Sequence, residues 1–292
     1  MSNATERPIE RVGVVGAGLM GAGIAEVSAK AGLDVVVCDI NEAAIGAGRS
    51  RIEASLERAV NVGKLEDDAR TAALARVTFV TDLGELADRQ LVIEAVREFE
   101  DEKLDVFQNL GKIVVDDQAI LASNTSSIPI MKLAMATDRP EHVIGLHFFN
   151  PVPVMRLVEL IPSIVTSIEV ADRAEDFMVD VLGKRVIRSQ DRAGFIVNAL
   201  FVPYVLAAIR MLESGFASAD DIDAGMVEGC SHPMGPLALA DMIGLDTIEA
   251  VADSMYAEFK EPLYAPPPLL SRMVEAGLLG RKCGRGFFNY LS

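Results

Sequence analysis

Two ionisable residues stand out by type and spacing. His147 lies near the end of the apolar run HVIGLHFF, and Glu159 lies inside a second run, VMRLVELI, with Asn150-Pro151-Val152-Pro153 between them. Both runs are short, apolar and rich in β-branched or aromatic residues, the pattern of buried strands, and the proline-rich segment is a breaker. If the chain folds back at Pro153, His147 and Glu159, each six residues from it, are directly opposed on an antiparallel pair. A carboxylate there accepts a hydrogen bond from one imidazole nitrogen, fixes the tautomer, and leaves proton exchange to the other nitrogen. It also stabilises the imidazolium that forms when the ring takes a proton, as the acidic member of a hydrolase triad does. The alternative is a core histidine merely satisfied by a neighbouring glutamate, and Pro-x-Pro is equally compatible with a crossing. From the residues alone both readings stand.

A second signal precedes it. RVGVV is followed by Gly16-Ala17-Gly18-Leu19-Met20-Gly21, a helical stretch to Lys30, and then DVVVCD, whose Asp39 lies eighteen residues beyond Gly21. Strand, glycine turn, helix, strand and acidic tip make G-x-G-x-x-G a dinucleotide-binding pattern rather than a chance one. Gly16 permits the tight turn, Gly18 lets backbone approach a pyrophosphate, and Gly21 lets helix and strand pack closely. The helix N-terminus supplies N–H donors and positive dipole. Asp39 accepts from a ribose 2′-hydroxyl and repels a 2′-phosphate, and Ile40 and Asn41 bring no cation, so NAD is favoured over NADP.

Around these signals the chain alternates strands and helices. Residues 42–75 read as helical and charged, with Arg49, Arg51, Arg58 and Lys64 forming a solvated face or contacts to an anionic substrate. VTFVTDL and LVIEAV are strands, and Glu98 and Lys103 open the next helix. AILASNTSS is a strand ending in Asn124-Thr125-Ser126-Ser127, whose polar groups either orient a substrate oxygen at a strand's carboxyl end or cap the helix after Pro129. A helix over 169–182 follows, and VIRSQD (186–191) brings the chain to Gly194. From Gly194 the pattern is helical only: Phe195–Leu212, started or kinked at Pro203, a helix capped by Ser218, one over 244–259, and a last one ending near Gly280. The predicted architecture is therefore α/β, a Rossmann-type N-terminal domain with a mainly parallel sheet over 1–190 and an all-α domain over 191–292. Asn198 is a polar residue close to the boundary, a place ligands prefer. His232, between Ser231 and Pro233, reads as a loop histidine.

The totals set limits. The 292 residues suit two domains. With 27 Lys and Arg against 43 Asp and Glu, the net charge of −16 repels nucleic acid and anionic membrane, so phosphorylated ligands need local donors. Cys38, Cys230 and Cys283 are scattered without metal-ligand spacing and read as reduced thiols of a cytoplasmic protein. No metal site is expected. The opening MSNATERPIE has no export pattern, and no apolar run reaches the ~18 residues of a membrane span.

GAGLMGAGIA, SNTSS, GLHFFNPVPVM, GFIVN, PMGPL, GLDT and GRGFFNY, spread over nearly the whole chain, resemble the short-chain L-3-hydroxyacyl-CoA dehydrogenase family, which includes 3-hydroxybutyryl-CoA dehydrogenases. The resemblance implies that His147 is the general base and that Glu159 holds it. It implies that Ser126 and Asn198 contact the substrate oxygen. It places cofactor contacts at the glycine turn (Gly16, Ala17, Gly18, Leu19, Met20, Gly21), Asp39, Glu98, Lys103, Ser126, Asn150 and Lys282. Ser55 matches a position that touches coenzyme A. Where members often carry a lysine for the CoA phosphates this chain has Val62, with Arg58 or Lys64 as replacements. A homodimer through the helical domain is also implied.

The expected reaction is NAD-dependent, reversible oxidation of an (S)-3-hydroxyacyl-CoA, such as 3-hydroxybutyryl-CoA, in fatty-acid β-oxidation or butanoate metabolism. Two other readings use the same features: a dehydrogenase of a free hydroxy acid such as gulonate, without CoA contacts, and a non-catalytic dinucleotide-binding protein. A regulator of the latter kind calls for a basic DNA-reading element, and none is visible.

Overall fold

The computed structural model describes residues 8–291. The described residues divide into two compact units, which part between Asp191 and Arg192. The first is built on one eight-stranded sheet in the order β3-β2-β1-β4-β5-β6-β7-β8. Its strands are β1 (Arg11–Val15), β2 (Asp34–Cys38), β3 (Val77–Val80), β4 (Leu91–Glu94), β5 (Ile120–Ser123), β6 (Val143–Phe148), β7 (Leu157–Pro162) and β8 (Arg185–Arg188). Neighbours are parallel except β6 and β7. The central strands β4, β5 and β6 are buried throughout, which is why they read as unbroken apolar runs rather than alternating ones. Each fully buried Val, Leu or Ile there contributes roughly 1.5–3 kcal/mol.

The helices of this unit are α1 (Leu19–Lys30), α2 (Glu42–Asn61), α3 (Asp67–Leu74), α4 (Glu100–Ile113), α5 (Ile130–Ala134) and α6 (Ile168–Asp176). The chain runs outward from β1 to β3 and then returns to β4 on β1's other side, so the order reverses between β1 and β4. Open sheets bind ligands outside the strand carboxyl ends at such a reversal. The expected helix over 169–182 is α-helical only to Asp176 and continues as a π turn, Phe177–Val181. That wider turn carries Phe177 and Met178 into the core, a local change of pitch that apolar periodicity does not register.

The second unit is helical: α7 (Val197–Glu213), α8 (Ala219–Cys230), α9 (Pro236–Ile243), α10 (Leu245–Phe259) and α11 (Pro268–Glu275). Pro203 lies inside α7 rather than at its start. Ser218 caps α8 by accepting from Asp221 N. The last helix stops at Glu275, short of the expected Gly280, because Gly277 turns the chain with φ +73° and an irregular tail follows. That tail is held by Asp241, 1% exposed, whose carboxylate accepts from Phe287 N, Phe288 N and Tyr290 Oη. A side chain at Gly286 would collide with the same carboxylate at 1.9 Å, which explains the second glycine of GRGFFNY. Among the described residues no helix is long and apolar enough to cross a membrane.

Candidate active site

The antiparallel register sets His147 opposite Glu159. Their side chains meet directly, His147 Nδ1 to Glu159 Oε2 at 2.7 Å, with the ring 7% exposed and the carboxylate fully buried. The Phe149 ring packs against the imidazole at 4.7 Å between centroids. Strand pairing alone accounts for the contact, since opposed residues on neighbouring antiparallel strands share a face. The loop joining the strands is fixed from two sides. Lys184, itself buried, donates through Nζ to the carbonyls of Val152 at 2.6 Å and Met155 at 2.8 Å, and burial lowers its pKa. Val152 rests on α1 where Gly23 leaves room; a Cβ at Gly23 would lie 2.8 Å from Val152 Cβ.

The glycine turn stands at the carboxyl end of β1. Gly16 has φ +103°, open to glycine at little cost, and a Cβ at Gly21 would sit 1.8 Å from Gly16 O. At Gly18 an added Cβ meets nothing within 4 Å, so the backbone there borders the open space that a pyrophosphate requires. No side chain caps α1 and its first turn carries no acid, which leaves its N-terminal donors to an anion. The residues present therefore fit a dinucleotide. Asp39 is tied to the turn, its Oδ2 accepting from Ala17 N at 2.6 Å and its Oδ1 from Ile40 N at 2.7 Å. Arg51 is not a purely solvated side chain: its guanidinium donates to Ala17 O at 3.2 Å, and Arg49 stacks over Phe79 at 4.7 Å.

A polar cluster occupies the carboxyl ends of β4 and β5. Glu98 Oε1 accepts from Thr125 Oγ1 at 2.5 Å, Ser126 N at 2.8 Å and Ser127 N at 3.1 Å, and from both serine hydroxyls at 3.2 and 3.1 Å. Burial pushes the Glu98 carboxyl up, but the Lys103 ammonium and the bonds from Thr125 and Ser126 outweigh it and hold the pKa below its usual value. Thr125 Oγ1 also accepts from Ile128 N, and Asp191 caps α5 through Ile130 N and Met131 N, so the turn's capping is done by Thr125 and Asp191. Lys103 is 1% exposed and sits 2.6 Å from Glu94 and 3.3 Å from Glu98. Its placement makes it a holder of carboxylates. Glu94 is a group that the sequence reading passed over; a glutamate at the end of an apolar strand was the available signal. Asn124 Oδ1 accepts from Phe148 N at 2.9 Å and ties this cluster to the histidine strand.

Between α1, α2 and the Asn150–Pro153 loop runs a cleft lined by Ser50, Arg51, Ser55, Arg58, Asn150 and Val152. Val62, 66% exposed, is the C-cap of α2, and Lys64 does not line the cleft. In the helical unit, Asn198 lies in the first turn of α7, and Lys282 donates to both carboxylate oxygens of Asp246 at 2.5 Å. His232 contacts Tyr204 Oη through Nδ1 at 3.2 Å.

A phosphate-ready glycine turn at the reversal point of this sheet, with an imidazole–carboxylate pair on the same sheet, places the protein among dinucleotide-dependent oxidoreductases. Comparison gives the family. Residues 11–192 match the NAD binding domain of 3-hydroxyacyl-CoA dehydrogenase and residues 194–290 its C-terminal domain. The chain belongs to the 3-hydroxyacyl-CoA dehydrogenase family, and its cofactor is NAD. It is 61% identical to a 3-hydroxybutyryl-CoA dehydrogenase of Mycobacterium tuberculosis over 97% of this chain and 99% of that protein. The crystal structure of M. tuberculosis FadB2 superposes with a TM-score of 0.96 at 60% identity, covering 97% of this chain and all of that one. For the (S)-3-hydroxybutyryl-CoA dehydrogenase of Ralstonia eutropha the TM-score is 0.91 at 46% identity, covering 98% and 100%.

Proposed function

We propose that the protein catalyses the reversible, NAD-dependent oxidation of (S)-3-hydroxyacyl-CoA, with 3-hydroxybutyryl-CoA as the principal ester, to 3-oxoacyl-CoA. The observation that carries this reading is the 2.7 Å contact between His147 and Glu159, joined in one unit to the glycine turn. NAD, held at the glycine turn, would supply the acceptor for the hydride of C3. His147 takes the 3-hydroxyl proton at Nε2, since Nδ1 faces Glu159, and the buried carboxylate offsets the charge of the imidazolium. Ser126 and Asn198 orient the substrate oxygen. Gly16 to Gly21 receive the pyrophosphate, Asp39 a ribose hydroxyl, and Glu98, Ser126, Asn150 and Lys282 the remainder of the cofactor. Lys103 acts through Glu98.

Ser55 meets coenzyme A in the cleft, and Arg58, with Arg51 beside it, replaces the lysine that Val62 displaces; both arginines line that cleft and Lys64 does not. The helical unit exposes Leu200 and Phe216, consistent with homodimerisation through it. The enzyme works in the cytoplasm. The test follows NADH absorbance with acetoacetyl-CoA, free acetoacetate and gulonate. Turnover of the ester alone is expected; turnover of a free acid with none of the ester overturns the CoA assignment.

A further inference from the structure

The turn that carries Ser126 is served by a buried acid to which the chemistry above gives no part. Glu94, the last residue of β4, is 0% exposed. Its Oε1 accepts from Lys103 Nζ at 2.6 Å and from Val96 N at 2.7 Å, and its Oε2 accepts from Ser123 Oγ at 2.6 Å. Lys103 in turn faces Glu98 Oε2 at 3.3 Å, and Ser123 Oγ accepts from Thr125 N at 3.2 Å. One carboxylate thus grips both supports of the turn: the ammonium that faces Glu98 and the serine from which the turn departs.

Charge gives the arrangement a direction. Two carboxylates share one ammonium, and buried charges persist only when paired and hydrogen-bonded. The ammonium lies closer to Glu94 than to Glu98, at 2.6 against 3.3 Å, so the unneutralised charge resides on Glu98. There it collects the donors of Thr125, Ser126 and Ser127. The groups facing Glu98 are Glu94 from β4, through Lys103, Lys103 itself from α4, and the three hydroxyl residues from the turn after β5.

We propose that Glu94 is a positioning residue for the reaction: by drawing Lys103 toward itself and anchoring Ser123, it leaves the Glu98 carboxylate only partly paired with the ammonium and turned to the donors of Thr125, Ser126 and Ser127, and so sets Ser126 against cofactor and substrate. What Ser126 touches rests on the proposed function; the linkage from Glu94 to Glu98 does not.

Glu94→Gln keeps the shape and gives Lys103 wholly to Glu98, whereas Lys103→Met strips Glu98 of its cation. NADH affinity is measured by fluorescence titration from neutral to acid pH, alongside turnover of acetoacetyl-CoA. Glu94→Gln is expected to lower kcat by about 10–100-fold, the usual range for a lost outer partner or a small misplacement. The acid limb of NADH affinity moves to lower pH in Glu94→Gln and to higher pH in Lys103→Met. Limbs that move together, or a Glu94→Gln protein with wild-type kcat and an unmoved limb, overturn the proposal. Should Glu94→Gln fail to fold, Ser123→Ala, which removes one hydroxyl, is expected to reduce kcat in the same sense, and an unchanged value there overturns it. If the wild type turns over no CoA ester, the proposed function fails while the NADH titrations still decide the linkage.

Discussion

The histidine hairpin and the Glu94–Glu98 cluster are both charged and largely buried, both lie on one sheet, and they are built in opposite ways. The hairpin brings two residues twelve positions apart into register through an antiparallel ladder, and the contact follows from strand pairing. The cluster gathers residues from the ends of two parallel strands, the helix between them and the turn beyond, over sequence separations of up to 29. A local pair is set by one strand pairing. A dispersed one spreads its charge across several supports, so that removing one partner shifts the balance among the rest.

Substitutions on the two sides should therefore differ in kind. His147→Gln is expected to cost about 10²–10⁴ in kcat, the contribution of a positioned base, with the NADH dissociation constant retained. Wild-type turnover in that variant removes the assignment. On the same side, Glu159→Gln keeps the shape but loses the charge that balances the imidazolium; a smaller loss of kcat with unchanged NADH affinity is expected. An equal fall in both would mean that the hairpin and the cofactor turn fail together. Asp39→Ala should narrow the preference for NADH over NADPH in kcat/KM, and an unmoved ratio would refute the role given to that carboxylate.

The smallest effect belongs to the cluster and is read in stability. The Glu98 pKa is depressed in the folded protein by Lys103 and the turn's donors, against burial. Its contribution is present above the unfolded-state pKa and is lost as pH falls through the folded-state value. Glu98→Gln should flatten that part of the acid limb of Tm against pH. A limb of unchanged steepness would show that the charge is not where stability and pH are coupled.

What the sequence made legible follows the same division. The β6–β7 register was one of two readings open from the apolar runs flanking a proline-rich breaker, because a fold-back at Pro153 determines which residues face each other while a crossing does not. The glycine turn was legible because Gly16 and Gly21 answer steric demands, as the φ of +103° at Gly16 and the 1.8 Å clash at Gly21 show, while Gly18 borders open space. Glu94 was not. In a parallel sheet the partners of a strand end are brought in by crossovers, and no spacing along the chain marks Lys103 and Ser123 as its neighbours. Arg51 escaped for a related reason: on a charged helix face nothing along the chain separates a guanidinium that reaches Ala17 from one left in water. The π turn after Asp176 and the early end of the last helix were hidden because each depends on packing rather than on propensity.

The contact between Gly23 and Val152 has a mechanical meaning. The helix that follows the glycine turn is also, one turn along, the bearing on which the histidine hairpin's loop rests, and the fit has no clearance. The helix behind the glycine turn and the loop of the histidine hairpin are thus machined to a single fit. A methyl group added at position 23 would wedge that joint and be felt at the glycine turn and at the histidine hairpin at once.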